Sequence, residues 1–312
     1  MELPNDSTSM VLSSVTVIIP TRGRPEALKR CLKKLLLHVN QHPECMIIVS
    51  DDGEASETSA ALGNDFAGVH VVQGPRRGPA ANRNCGAKHS SGHLIIFLDD
   101  DCIPDPNIIA AYQEAALENP EIGVFEGRIT AEGTETGFAD TAPSNETGGY
   151  LWSCNFAIRR DLFTSIGGFD ERYPFPGMED VDFHFRVTNK SRIRFLPEAR
   201  VFHAVERRVG WKGLKHYALS LILYLHLHGL RQTKKGPVYF ARVIARLSVT
   251  GGVRYLRGQA AKDPEHLLST VWVHMEILFI VLFWRCHPYL AKTIFPACCP
   301  GCESIHTSLS GH

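Results

Sequence analysis

Long apolar runs, a net charge and a patterned set of cysteines are all missing from this chain of 312 residues. No apolar stretch reaches the roughly 20 residues that a membrane-spanning helix needs. Met275–Trp284 is too short and too closely flanked by His and Arg. Lys+Arg and Asp+Glu number 33 each, so no global charge points to nucleic acid. Residues 1–14 are polar and lack the apolar centre of a secretory signal, so a disordered start and a cytoplasmic setting are expected. The nine cysteines are scattered and odd in number, and reduced thiols fit that setting. No internal repeat is visible.

What is present is an alternation of buried strands and amphipathic helices. Val15–Pro20 and Cys45–Ser50 are strands by composition, as are Gly68–Val72 and Leu94–Leu98. Between the first two, Pro25 starts a helix whose Leu28, Cys31, Leu32, Leu35 and Leu36 share one face. A short helix is expected over about Ser56–Leu62 and another over about Pro79–Ser90. Strands alternating with helices imply βαβ units, hence an α/β fold with a mostly parallel central sheet. Further strands are expected at Ile122–Phe125, Cys154–Ile158, Ile193–Leu196 and Arg200–His203, with a helix over Asp180–Asn189. Residues 130–149, rich in Gly, Thr, Glu and Ser, read as a mobile loop over the site.

The chemistry concentrates at strand ends. Asp99-Asp100-Asp101 follows the strand Leu94–Leu98, and three adjacent carboxylates are costly without a positive partner. A divalent cation, Mn²⁺ or Mg²⁺, suits such hard oxygen ligands. Asp51-Asp52 ends the second strand on the same edge of a parallel sheet, where ligands of α/β proteins bind. Asp52 can also be a plain Asx turn before Gly53. Arg83, early in a helix, can grip phosphate oxygens through its planar fork or can be an ordinary surface residue. Gly177-Met178-Glu179-Asp180-Val181-Asp182 gathers carboxylates at a helix start. There a general base stays ionised, although a capping role uses the same residues. His203 can complete a metal shell begun by Asp101, or serve the fold.

Taken together and in this order, these motifs resemble glycosyltransferase family 2, the inverting nucleotide-sugar enzymes of the GT-A fold. Val17–Thr21 resembles its opening strand and Asp51-Asp52-Gly53 its first acidic motif. Ala81–Gly86 resembles its Ala-Arg-Asn-x-Gly stretch and Phe97–Asp101 its DxD motif. Gly167–Glu171 and Glu179–Asp182 resemble its acceptor-side turn and catalytic helix start. The resemblance covers about residues 15–205 and implies roles. Pro20, Thr21 and Asp52 would meet the base, and Arg83 the base or diphosphate. Asp99 would meet the ribose, and Asp101, with His203, the metal. Asp180 would be the base, and Glu179 or Trp152 would place acceptor or donor sugar. The partners implied are a nucleotide-diphospho sugar donor and a sugar-containing or lipid-linked acceptor. Departures are Glu54 after Asp-Asp-Gly and Asn82 before Arg83.

The expected organisation is a disordered 1–14, a GT-A catalytic domain over 15–209, a helical extension over 210–295 and a Cys-containing tail over 296–312. Trp211–Leu230 and 236–258 read as long helices. They either pack on the catalytic domain or make peripheral membrane contact through Arg242, Arg246, Arg254 and Arg257. Cys298, Cys299 and Cys302 are too small a cluster to imply zinc. Two other classes share such a sheet. A sugar-phosphate nucleotidyltransferase would carry a Gly-rich loop after strand one, where Thr21-Arg22-Gly23-Arg24-Pro25 stands. A non-catalytic sugar-binding protein would have lost the acidic positions.

Overall fold

The computed structural model describes residues 14–39, 42, 44–133 and 140–207, with six helical positions between 216 and 228. Its contacts divide the chain into residues 1–209 and 210–312. In the second unit Tyr224 and His228 bring their rings to 4.6 Å, as neighbours four apart on a helix do. The other expectations for that unit, and the start of the chain, fall outside the described residues.

Within the first unit one eight-stranded sheet organises the chain. Its strands are β1 (Val15–Thr21), β2 (Cys45–Asp51), β3 (Val69–Gln73), β4 (Leu94–Leu98), β5 (Cys102–Pro104), β6 (Val124–Glu132), β8 (Asn155–Arg159) and β9 (Ile193–Ala204). Their order is β3-β2-β1-β4-β8-β6-β9-β5. A separate two-stranded ribbon joins β7 (Asp140–Thr141) to β10 (Glu206–Arg207). β1 pairs in parallel with β2 and β4, and β2 with β3. β8 then runs antiparallel between β4 and β6, β6 pairs in parallel with β9, and β5 closes antiparallel on β9. The parallel half needs crossovers, supplied by α1 (Pro25–Val39), α2 (Ala55–Leu62) and α3 (Pro79–His89). Later come α4 (Ile108–Glu118), α5 (Arg160–Ile166) and α6 (Glu179–Thr188).

The central strands are buried on both faces, which is why β1 and β4 read as unbroken apolar runs. One face carries aliphatic residues with α1 and α4. On the other, Phe97, Phe156, Phe163, Phe169 and Phe183 form a ring cluster, with Phe169 and Phe183 stacked at 4.4 Å.

Three expectations shift in the structure. The two strands foreseen at 193–196 and 200–203 are one strand, β9, with a register irregularity opposite Gly127/Arg128. Pro197 interrupts the apolar pattern without ending the strand, as a bulge allows. After Asp101 comes a short strand, β5, where no element was expected. The described part of 130–149 is held: Asn145 exchanges backbone hydrogen bonds with Ile129 at 3.0 and 3.1 Å.

Polar struts join the helices to the strand ends. Asn82 in α3 accepts from Ser50 Oγ at 2.6 Å and donates to the carbonyls of Ser50 and Thr21. Asn84 donates to Phe169 O at 2.8 Å and accepts its N–H at 2.9 Å, pinning the turn after α5. Gly78 precedes α3 at φ 99°, where a side chain would collide with the Pro174 backbone. Because Asn84→Ala strands the buried peptide groups of Phe169, it should cost on the order of 2 kcal/mol. Urea unfolding should show a lower midpoint with an unchanged slope.

Candidate active site

The site lies at the C-terminal ends of β1, β2 and β4, met by the start of α6 and the end of β9. Gly177 and Met178 both have positive φ, 104° and 75°, and turn the chain into α6. A non-glycine residue in that region is strained, and such strain collects at functional sites. Glu179, Asp180 and Asp182 then fill the first turn, where the helix dipole favours negative charge.

Arg83 is the centre of the charge arrangement. It is 4% exposed, and its guanidinium donates to Asp99 Oδ1 at 2.6 Å and to Glu179 Oε1 at 3.3 Å. Its plane lies 5.6 Å over Phe169. Glu179 is buried, with Oε2 accepting Gly177 N–H at 2.7 Å. Asp180 beside it accepts Val181 N–H at 2.8 Å through Oδ1. Burial, and then the Glu179 charge, push the Asp180 carboxyl up to about 7. A carboxylate with that affinity for protons suits a general base near neutral pH.

Asp101 and His203 come together because β5 and β9 pair in a register that sets Cys102 opposite His203. Asp101 Oδ1 lies 3.3 Å from His203 Nε2, and this oxygen is otherwise unpartnered. His203 Nδ1 donates to Ala204 O at 2.9 Å, which orients the ring and turns Nε2 toward Asp101. Against the pull of burial, Asp101 raises His203 to about 10, and His203 in turn lowers Asp101. Neighbouring ligands in an octahedral shell with bonds of about 2.1 Å lie about 3 Å apart. The two atoms therefore fit a hard divalent cation. Cys102 lies within 4.8 Å of both, but its contact with Cys154 and its burial keep it a protonated thiol.

The middle carboxylate has its own task. Asp100, fully buried, accepts Thr21 Oγ1 at 2.5 Å and pairs with Arg24 Nη2 at 2.5 Å. Arg24 also reaches Asp101 Oδ2 at 2.7 Å. Arg24 and Asp100 thus clamp the turn after β1 to the end of β4. Sequence reading assigned neither residue a role, and an Arg just before Pro25 is a faint signal.

The other expected residues also make contacts within the protein. Pro20 and Thr21 are buried in β1. Asp52 accepts the N–H groups of Arg76 at 2.8 Å and Gly78 at 2.9 Å, bracing the loop before α3. Asp51 accepts from Gly53 N–H and Thr58 Oγ1. Arg83 spends its fork on carboxylates. Trp152 is half-buried and donates Nε1 to Ser144 O at 3.1 Å. Asp99, Arg83, Glu179 and Asp180 form one connected group, and Asp101 and His203 a second, both rooted in 99–101.

The His203–Asp101 pair carries a pH signature in the metal-free protein. A raised imidazole stabilises the fold fully below about 6.5, and that contribution fades as pH rises toward about 10. Wild-type thermal midpoints should therefore fall between pH 6.5 and 9.5 more steeply than those of His203→Gln, measured in the presence of chelator.

Comparison with known proteins agrees with this geometry. Residues 16–167 match the family model for glycosyl transferase family 2. The chain is 28% identical over 274 residues to the O-antigen biosynthesis protein RfbC of Myxococcus xanthus, covering 77% of this chain and 21% of that protein. It is 30% identical over 95 residues to the GalNAc(5)-diNAcBac-PP-undecaprenol beta-1,3-glucosyltransferase of Campylobacter jejuni, covering 29% of this chain and 30% of that protein. The chain thus spans less than a third of the length of either relative. Among solved structures it resembles GalNAc-T7 with UDP, GalNAc and Mn²⁺, at TM-score 0.55 and 18% identity, covering 86% of this chain and 57% of that one. It also resembles the mannosyltransferase PcManGT of Pyrobaculum calidifontis with GDP-Man and Mn²⁺, at TM-score 0.51 and 17% identity, covering 91% and 84%. At these identities the likeness is one of fold, and that fold is GT-A.

Proposed function

The chain belongs to glycosyltransferase family 2 through residues 16–167, and on that footing we propose that it moves a sugar from a nucleotide-diphospho sugar to an acceptor hydroxyl by one inverting displacement. The observation that carries this reading is Asp180. It is a carboxylate raised to about 7 at a helix start, linked through Glu179 and Arg83 to Asp99 of the acidic turn.

Asp180 Oδ1 is held by the Val181 N–H, which leaves Oδ2 for the acceptor. That oxygen takes the hydroxyl proton as the hydroxyl oxygen bonds to the anomeric carbon. The bond from that carbon to the diphosphate breaks on the opposite face, so the configuration inverts. The proton ends on Asp180 and the electron pair on the leaving diphosphate. Arg83 keeps Glu179 charged and in place, so the pair titrates as a unit with Asp180 as its outward member. Asp101 and His203 are the residues that would hold Mn²⁺ or Mg²⁺. Such an ion supplies charge neutralisation on the departing nucleoside diphosphate. The two solved relatives in fold are named with Mn²⁺ and a nucleotide or nucleotide sugar, which supports the choice.

A lipid-linked saccharide is the acceptor class we favour. Relatives carry printed names of that kind, among them the Campylobacter enzyme and a glucosyl-dolichyl phosphate glucuronosyltransferase of Haloferax volcanii.

A panel of UDP-, GDP- and dTDP-sugars with Mn²⁺ or Mg²⁺, read by nucleoside diphosphate release, tests the reading. Asp180→Asn should lower kcat about 10²- to 10⁴-fold while nucleotide binding persists. Asp101→Ala should abolish both turnover and metal-dependent nucleotide binding. Wild-type kcat should climb as pH rises through about 7, because the base works only when ionised. Full transfer activity in Asp180→Asn would remove the base assignment.

A further inference from the structure

The segment 145–152 is fixed more firmly than a surface connection requires. Glu126 in β6 is 5% exposed and forms no ion pair among the described residues. Its carboxylate accepts Gly149 N–H at 2.7 Å and Tyr150 N–H at 3.0 Å, with Asn145 Nδ2 at 3.4 Å. The next N–H, that of Leu151, goes to His184 Nδ1 at 3.3 Å. A backbone N–H can only donate, so Nδ1 is the acceptor here, and burial lowers His184 in keeping with that. Three successive backbone N–H groups are therefore captured by side chains of β6 and α6. Gly148 and Gly149, at φ 85° and 97°, make the curl that aims them. The Leu151 side chain is buried in the phenylalanine cluster.

This strapping presents one group to solvent. Tyr150 is 58% exposed, among the few large hydrophobic side chains on the surface of the described residues. It lies parallel to Trp152, 5.8 Å away at an interplanar angle of 4°. Trp152 is itself anchored through Nε1 to Ser144 O. A buried carboxylate without a cation is expensive, and here it orders an exposed ring rather than a core. His184 stands four residues beyond Asp180 on α6, about 6 Å along the helix axis. The ring is thus tied to the same helix as the proposed base.

We propose that Tyr150, backed by Trp152, is the acceptor subsite, and that the apolar C–H face of an acceptor pyranose lies on the exposed ring. An aromatic face carries negative potential and meets the weakly positive C–H edges of a sugar, while the hydroxyls stay in water. Glu126 and His184 are positioning residues that fix this platform relative to Asp180. The proposal rests on the transferase reading for its occupant.

The test uses the full chain on an array of immobilised pyranose-terminated glycans with Mn²⁺ and UDP or GDP present. Nucleoside diphosphate binding is measured in parallel by calorimetry. Wild type should be retained on a subset of glycans. Tyr150→Ala should lower that signal about tenfold, and Tyr150→Phe should restore it. Glu126→Gln should lower it too, and each variant should bind the nucleotide within about twofold of wild type, a combination that a merely unfolded loop region would not give. Retention of the glycan signal in Tyr150→Ala overturns the proposal. So does a wild type that binds nucleotide but no glycan. Failure of wild type to bind either nucleotide sinks the donor reading instead, and the glycan arm still decides the subsite.

Discussion

The buried guanidinium of Arg83 is the constraint on which the site depends. It comes from a helix that leaves the parallel half of the sheet, and it binds a carboxylate from each half of the domain. Asp99 follows β4, and Glu179 opens α6. Burying three charges together is costly, and removing one partner of such a group costs about 3–5 kcal/mol because the others stay desolvated. The arrangement therefore resists change and sets the distance between the acidic turn and the proposed base. Burial beside this group, and then the charge of Glu179, explain why Asp180 holds its proton up to neutral pH.

Around this centre the fold uses short polar side chains as struts. Asn82 ties α3 to the ends of β1 and β2, and Asn84 ties it to the turn at Phe169. Asp52 holds the loop before α3, and Asp100 with Arg24 holds the turn after β1. Each replaces a backbone partner that a loop cannot find for itself. The consequence is an edge whose acidic groups are each placed by several short hydrogen bonds.

Much of this was legible in the chain itself. The apolar runs at 15–20 and 94–98 gave the buried strands, and the placement of Asp99–Asp101 at a strand end gave the crevice. Asp180 could be named because carboxylates at a helix start are a local pattern. Other assignments were local in form but tertiary in substance. Asn82 looked like a departure from a motif, and the structure shows it as the strut between two strands. Asp100 had no visible role because its partners, Thr21 and Arg24, lie far upstream. Glu126 stood among apolar residues in β6, a signal that a buried charge has a task, yet nothing nearby named the loop it binds.

The sequence by itself determined the alternation of strand and helix, the parallel half of the sheet and the acidic edge, since these follow from hydrophobic period and from residues adjacent in the chain. Only the tertiary structure decided which charges meet. Arg83 reaches Glu179 through the packing of α6, and the antiparallel register of β5 on β9 settles that His203, offered by the chain as one of two readings, meets Asp101. Such pairings depend on distances across the sheet, and at long separation along the chain no local pattern encodes them.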